Sequence, residues 1–191
     1  MGLIVFLLAV ALIIALWMVT AYNGLIALKN ETLNALKQID VQLKRRHDLI
    51  PNLVQSVQGA MKFEQQTLQA VIEARNQAVK LASGADLQSV GKLAAAEQQL
   101  TGALGKLMAV VEAYPDLKAT GNIAQLQEEL TSTENKIGFA RQLYNDTATN
   151  YNTKQQQFPT AIVAPMAGAK PAELWEITDE AERAVPQVKL N

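Results

Sequence analysis

The chain has 191 residues, with 17 basic and 18 acidic side chains and a formal net charge of −1 at pH 7. This balance provides no basic stripe, so we expect no nucleic-acid partner. The absence of cysteine excludes disulfides, thiolate catalysis and cysteine-based zinc sites, and a single histidine, His47, excludes a histidine-rich metal site.

The amino-terminal segment is apolar over the length of a membrane span. Every residue from Leu3 to Val19 is apolar, and no charged side chain precedes Lys29. Because about 20 helical residues match a hydrocarbon core roughly 30 Å thick, we predict a transmembrane helix over residues 1–22. The residues that define this predicted span are Leu3, Val5, Leu8, Leu12, Leu16, Trp17 and Val19.

A secretory signal peptide is the alternative interpretation of this segment. Val19-Thr20-Ala21 resembles the small-x-small pattern of a cleavage site. However, no lysine or arginine precedes the apolar run, and the run is longer than the usual 7–15 residues of a signal's apolar region. We therefore favour a retained span.

The charges that flank the span predict its orientation. No basic side chain precedes it, whereas Lys29, Lys37 and the cluster Lys44-Arg45-Arg46 follow it. Because positive residues near a span tend to stay in the cytoplasm, we expect a single-pass protein with its amino terminus outside and its body in the cytoplasm.

The chain after the span has the pattern of long helices. About 165 residues are enough for one domain with one core. Apolar residues recur every three or four positions, which predicts helices over residues 23–48, 52–82, 86–114 and 122–157. Their similar lengths favour an up-and-down, antiparallel four-helix bundle over residues 23–158, and hence an all-α fold. Pro51 leaves two alternatives open, a break, which the matched lengths favour, or a kink within one longer helix.

Residues 159–191 form a tail of different character, irregular and interrupted by prolines. Its acidic stretch over 172–184 could form one short helix. The tail either packs loosely or is disordered, or it docks on a neighbouring subunit. Its candidate contact residues are Ile162, Val163, Met166, Leu174 and Trp175.

A set of polar residues lies on or beside the apolar stripes of the predicted helices. We expect it to form a structural network that fixes helix register, rather than a ligand site. Its members are Glu64, Glu73, Arg75, Asn76, Glu134, Asn135, Arg141 and Asp146. The chain contains no Glu-x-x-His motif of the di-iron bundles, and no candidate nucleophile neighbours His47 in sequence. We therefore predict no catalytic, cofactor or metal site, and a protein that is not an enzyme.

The basic cluster Lys44-Arg45-Arg46 has three interpretations. Attraction to lipid headgroups is weak on an upright helix, because residue 44 would lie about 30 Å beyond Tyr22 while charges are screened over about 8 Å. Pairing within the subunit or with another subunit is the second interpretation, and a solvated face is the third.

Several sequence blocks, in order, resemble one known family over essentially the whole chain. Residues 22–25 read Tyr-Asn-Gly-Leu, and residues 39–53 read Ile-Asp-Val-Gln-Leu-Lys-Arg-Arg-His-Asp-Leu-Ile-Pro-Asn-Leu. Residues 71–78 read Val-Ile-Glu-Ala-Arg-Asn-Gln-Ala, and residues 133–146 read Thr-Glu-Asn-Lys-Ile-Gly-Phe-Ala-Arg-Gln-Leu-Tyr-Asn-Asp. With Phe158-Pro159 and the closing Val-Pro-Gln-Val-Lys-Leu of residues 185–190, this succession resembles the LemA family.

The LemA resemblance implies a bacterial inner-membrane protein with its amino terminus outside, a cytoplasmic helical domain and no established enzymatic activity. The sequence departs from the family pattern at residues 167–170, Ala-Gly-Ala-Lys, where relatives are often more aromatic. This departure weakens the expectation of an aromatic docking role for the tail.

Two classes of function are compatible with these features. The first is a non-enzymatic scaffold or adaptor that self-associates through its span and tail and binds an unidentified protein partner in addition to the lipid bilayer. The second is a regulatory module that relays a state to a membrane enzyme. Because few residues precede the span, no sensor domain is expected outside, and we favour the scaffold.

We expect the span to be retained in the mature protein. Membrane fractionation followed by intact-mass measurement should recover the protein in the membrane fraction with residues 1–21 still attached. A soluble product that begins at Tyr22 would show instead that the segment is a cleaved signal peptide.

Overall fold

The computed structural model describes residues 1–58, 64–114 and 121–176. Within these ranges the protein contains four α-helices and no β-strand, so the predicted all-α class is confirmed. The helices are α1 (Gly2–Gln58), α2 (Gln65–Ala82), α3 (Val90–Glu112) and α4 (Gly121–Gln156), and a 3-10 turn, Thr160–Ile162, follows them.

The helices pack as a bundle in which α1 contacts both α4 and α2, and α2 contacts α3. Helices α1 and α4 run antiparallel, because Arg45 pairs with Glu129 whereas Leu33, earlier in α1, lies beside Tyr151, later in α4. The short connection between α2 and α3, residues 83–89, is of the kind expected between antiparallel neighbours. These helix contacts agree with the predicted bundle.

Helix α1 serves both as the apolar segment and as the first helix of the bundle. It runs for 57 residues without interruption, and its first buried residue is Leu25. Its apolar window has none of its residues buried in the protein, and by length and composition this is the one helix among the described residues that could cross a membrane. An exposed apolar helix of this length is consistent with a membrane anchor.

The favoured break at Pro51 is wrong, because α1 continues through this residue to Gln58 and α2 begins only at Gln65. Proline lacks the amide hydrogen that would bond to the carbonyl oxygen four residues earlier, that of His47. In the structure, the Nε atom of Arg75 on α2 donates to this oxygen at 2.9 Å. The neighbouring helix therefore supplies the missing donor, and α1 tolerates the proline.

The interior consists of two hydrophobic clusters. We call them the proximal core, on the side of the apolar segment, and the distal core. The proximal core contains Leu36, Ile39, Leu43, Leu93, Ile137, Tyr144 and Tyr151, among others. The distal core contains Ile50, Leu53, Val57, Val71, Leu100, Leu107 and Ile123, among others. Along α1 the two clusters are separated by Arg46 and His47, which are both buried.

The role of Arg75 at the proline can be tested with a double-mutant cycle. We expect Arg75→Met to lower the free energy of unfolding by about 1–3 kcal/mol, because it leaves the His47 carbonyl oxygen without its donor. In a Pro51→Ala background the loss should be smaller, because the amide of residue 51 can then bond to that oxygen. Denaturant unfolding in mild detergent measures both values, and an equal loss in the two backgrounds would contradict this explanation.

Candidate functional site

A buried group of charges lies between the two cores. Glu97 on α3 is fully buried, and its two carboxylate oxygens contact successive residues of α1. Oε1 lies 2.7 Å from Nε2 of His47, and Oε2 lies 3.5 Å from Nη1 of Arg46. Arg46 is only 3% exposed, so this pair is shielded from solvent. The contacts join α1 to α3 in the middle of the bundle.

Arg46 extends the group to the last helix. Its Nη1 atom lies 3.0 Å from Oε2 of Glu134 on α4, and its Nη2 atom donates to Oγ1 of Thr101 at 2.7 Å. Glu134 in turn lies 3.8 Å from Arg141. We call Arg46, His47, Glu97, Thr101 and Glu134 the ionic layer. A single arginine thus links three helices.

The charges of this region balance. Arg46 and Arg141 provide two positive charges, and Glu97 and Glu134 provide two negative charges, so the charges of these four side chains cancel. Burying charges costs several kcal/mol unless each is paired and hydrogen-bonded, and removing one partner leaves that penalty uncompensated. The pairing therefore fixes how the three helices are aligned.

The chemistry available to the ionic layer is structural. Its only hydroxyl, that of Thr101, donates to the Glu97 carbonyl oxygen at 3.0 Å and accepts from Arg46, so it is not placed as a nucleophile next to His47. Among the described residues there is no cluster of three or more side chains able to hold a metal ion. A cavity of about 100 Å³ beside Thr101, Glu134 and Arg141 is closed on one side by Trp175.

Trp175 belongs to a segment that follows the bundle and folds back onto it. We call residues 169–176 the strap. Two asparagines of α4 hold its main chain. Asn152 accepts from the amide of Ala172 and donates to the carbonyl oxygen of the same residue, both at 2.8 Å. Asn145 does the same for Trp175, at 2.8 and 3.0 Å.

Glu173, between these two positions, is held through its main chain and its side chain. Its amide donates to the Leu87 carbonyl oxygen at 2.7 Å, and its own carbonyl oxygen accepts from the Tyr144 hydroxyl at 2.6 Å. Its carboxylate accepts from the amide of Gly91, in the first turn of α3, at 2.9 Å. The strap thus lies in a groove between α4 and the start of α3, formed by Leu87, Gly91, Tyr144, Asn145 and Asn152.

The pKa of the Tyr144 hydroxyl is raised in this groove. Desolvation, followed by the negative charge of Glu173, raises the pKa of Tyr144 well above its usual value. The hydroxyl therefore remains protonated at any physiological pH and keeps its role as a donor to the strap.

The turn that leads into the strap ends at Gly168. Its amide bonds to the Pro165 carbonyl oxygen, and the next amide, of Ala169, bonds to the Ala164 carbonyl oxygen. This is a Schellman motif, whose penultimate residue needs a left-handed conformation. Gly168 has φ of +59°, which glycine adopts without the steric cost that a β-carbon brings.

The structure distributes the predicted polar network over several places. Glu134 and Arg141 lie at the ionic layer, and Arg75 lies at the proline of α1. The remaining members lie at the start of α2 or on exposed helix faces, and they are Glu64, Glu73, Asn76, Asn135 and Asp146. The predicted set therefore does not come together as one network.

The candidate oligomer contacts require a correction. Arg46, Val163 and Trp175 are buried within the single chain, so they are not available to another subunit in this conformation. The exposed members of the set are Lys44, Arg45, Ile162 and Met166, and Leu174 is half-buried. The strap packs on its own bundle, and residues 172–176 are not helical. The rest of the predicted 172–184 helix lies outside the described residues.

Sequence reasoning missed Glu97, His47, Asn145 and Asn152. A signal for Glu97 was present, because it occupies the stripe position between Leu93 and Leu100, where an apolar residue is expected. The signal for the asparagines was weaker. Asn145 and Asn152 are seven residues apart, and each directly follows a tyrosine, Tyr144 or Tyr151. Neither signal shows which residues Glu97 or the two asparagines contact in the fold.

The fold and its polar contacts define the class of an all-helical bundle with a long apolar amino-terminal helix and a carboxy-terminal strap. The chain belongs to the LemA family, whose model matches residues 35–190. The predicted family is therefore confirmed, and this family is not known as an enzyme family. A search among curated proteins finds no match.

Two adjacent arginines offer a matched test of the ionic layer. We expect Arg46→Met to lower the free energy of unfolding by about 3–5 kcal/mol, because it removes the arginine partner of the fully buried Glu97 carboxylate. Arg45→Met should change it by less than about 1 kcal/mol, because Arg45 is exposed and lies 3.9 Å from Glu129. Denaturant unfolding in mild detergent measures both, and similar losses would contradict the structural role of the layer.

Proposed function

We propose that this protein is a non-enzymatic, membrane-anchored scaffold that self-associates at the bacterial inner membrane, with its amino terminus outside and its bundle in the cytoplasm. The observation that carries this proposal is the continuity of α1, from the exposed apolar segment into the core of the bundle. LemA membership and the basic residues that follow the apolar segment support it.

The continuous helix would hold the bundle at a fixed distance from the bilayer. The core begins at Leu25, three residues after Tyr22 at the end of the predicted span. No loop lies between the apolar segment and the bundle, so the two would move as one rigid body. A rigid body of this kind is suited to holding interaction surfaces at a fixed distance from the bilayer rather than to reaching a distant substrate.

An exposed apolar patch on the bundle supports self-association. Phe139 and Leu143 of α4 lie beside Val41 of α1, and Phe139 is 75% and Val41 62% exposed. Contiguous exposed apolar surface is typical of interaction sites. Because each copy would carry the patch at the same height above the bilayer, neighbouring copies could bring their patches together, and attachment to one membrane raises their effective concentration.

Signal relay to a membrane enzyme is the second candidate function. It is favoured by the same helix, because α1 connects the apolar segment without a break to Arg46 and His47 in the ionic layer. A rotation or shift of the span would thereby act directly on the pairing with Glu97. The scaffold remains the better supported proposal, because it requires no change of state.

The orientation can be tested with reporter fusions after Asn191. A reporter active only in the cytoplasm should function, and one active only in the periplasm should not. The opposite pattern would reverse the proposed topology.

Self-association can be tested by mass photometry of the full-length protein in mild detergent. We expect oligomers for the parent protein and a shift towards monomers for Phe139→Glu, because a charge on the patch opposes burial. The matched control is Ile72→Glu, which changes another exposed apolar residue, on α2, and should leave the oligomers intact. A parent protein that is strictly monomeric would contradict the proposal.

A further inference from the structure

The groove holds the strap by main-chain recognition. Each of the two asparagines offers its amide group to both the N–H and the C=O of one strap residue, as a neighbouring β-strand would. Asn145 and Asn152 are seven helical residues apart, which is about 10.5 Å along α4. Ala172 and Trp175 are three residues apart, a separation that corresponds to about 10 Å for a chain in the extended conformation. The two repeats match, so the helix can bind an extended chain in register.

The groove is also built to hold these asparagines in position. Gln155, which is buried, donates to Oδ1 of Asn152 at 3.0 Å, and this oxygen in turn accepts from Ala172. On the opposite wall, a β-carbon placed on Gly91 would lie 3.1 Å from Oε2 of Glu173. A larger residue at this position would require the Glu173 carboxylate to shift by a few tenths of an ångström, so glycine lets the carboxylate approach α3 closely.

Three strap side chains make the recognition selective. Ala172 is buried in the proximal core, so a larger side chain would have to displace its close-packed neighbours. The Glu173 carboxylate lies at the amino terminus of α3, where the helix dipole favours a negative charge. Trp175 is buried and lies under the guanidinium group of Arg141, 5.0 Å from the ring centroid. Leu174, between Glu173 and Trp175, is half-buried against the proximal core. The groove therefore fits a segment with a small residue, an acid, an apolar residue and tryptophan in succession.

We propose that this groove is a peptide-binding site, and that its partner is the strap of a second copy of this chain, which exchanges with the chain's own strap. The inference rests on the proposed self-association. The strap is then the segment that joins one copy to the next. Ala172, Glu173 and Trp175 of one copy occupy the groove of another.

Exchange is compatible with the contacts and the reach of the chain. A strap bound to a neighbouring copy makes the same groove contacts that it makes in its own chain. Every groove therefore remains filled, and the two arrangements differ mainly in the connecting segment. Residues 157–171 connect α4 to the first bound residue, and they can extend over about 50 Å when the turns between Thr160 and Ala169 open. Packed helices lie about 8–10 Å apart, so a groove two or three helix spacings away, on an adjacent bundle, is still within this reach.

The binding site can be tested with a fluorescein-labelled peptide of residues 169–176, capped at both ends, and the full-length protein in mild detergent. We expect fluorescence anisotropy to show at least tenfold tighter binding to the variant Glu173→Ala/Trp175→Ala than to the parent, because a weakened strap competes less for the groove. Adding Asn145→Leu and Asn152→Leu to this variant should abolish the binding. The matched control, Asn150→Leu, changes an exposed asparagine of α4 and should leave the binding unchanged.

A lack of binding by the weakened-strap variant, or binding that persists without the two asparagines, would overturn the proposed site. Circular dichroism confirms that each variant is folded.

A second measurement leaves the groove unchanged. A photo-crosslinking amino acid replaces the exposed Glu176 of the otherwise unaltered protein in its membrane. We expect adducts between α4 of one chain and residue 176 of another, identified by mass spectrometry of chains that carry different tags.

Adducts confined to single chains would overturn the exchange. If mass photometry still shows oligomers in that case, self-association is retained and only the exchange fails. If the parent protein is monomeric and no adduct joins two chains, both proposals fail.

Discussion

The arrangement of the bundle depends on one buried carboxylate, that of Glu97. An ionised group without solvent contact must be paired, and both of its partners, Arg46 and His47, come from α1. Sliding α3 by one turn, about 5.4 Å, would separate these groups and leave charges unpaired in the interior. Since Arg46 also contacts Glu134, the same constraint extends to α4. Apolar packing alone would tolerate several alignments, whereas this pairing is satisfied in one.

The alignment determined by the ionic layer also positions the groove. Gly91 lies on α3 six residues before Glu97, or about 1.7 turns, and Asn145 lies on α4 three turns after Glu134. The groove needs the start of α3 to lie opposite these residues of α4, because Glu173 contacts both sides of it. Since α1 continues into the apolar segment, one set of contacts relates the predicted span, the bundle and the strap to each other.

The helices and the apolar segment could be predicted because their signals are local. Apolar periodicity and composition are read within one segment, and they gave the fold class and the approximate bounds of α3 and α4. The continuation of α1 through Pro51 could not be predicted, because the compensating donor, Arg75, lies 28 residues beyond the carbonyl oxygen that it bonds. The pairing of Glu97 with Arg46 and His47, and of the asparagines with the strap, depends on residues brought together only by the fold.

The two sets of polar contacts differ in how easily they can be released. Arg46 and Glu97 of the ionic layer are buried, and separating them within the interior would cost several kcal/mol. The asparagine contacts are neutral hydrogen bonds, each contributing about 0.5–1.5 kcal/mol, and water can replace them when the strap lifts away. Local opening is therefore expected to begin at the strap, while the ionic layer keeps the bundle aligned. A rigid bundle with a releasable segment can exchange that segment with a neighbour without unfolding, and a shared membrane would supply the neighbour.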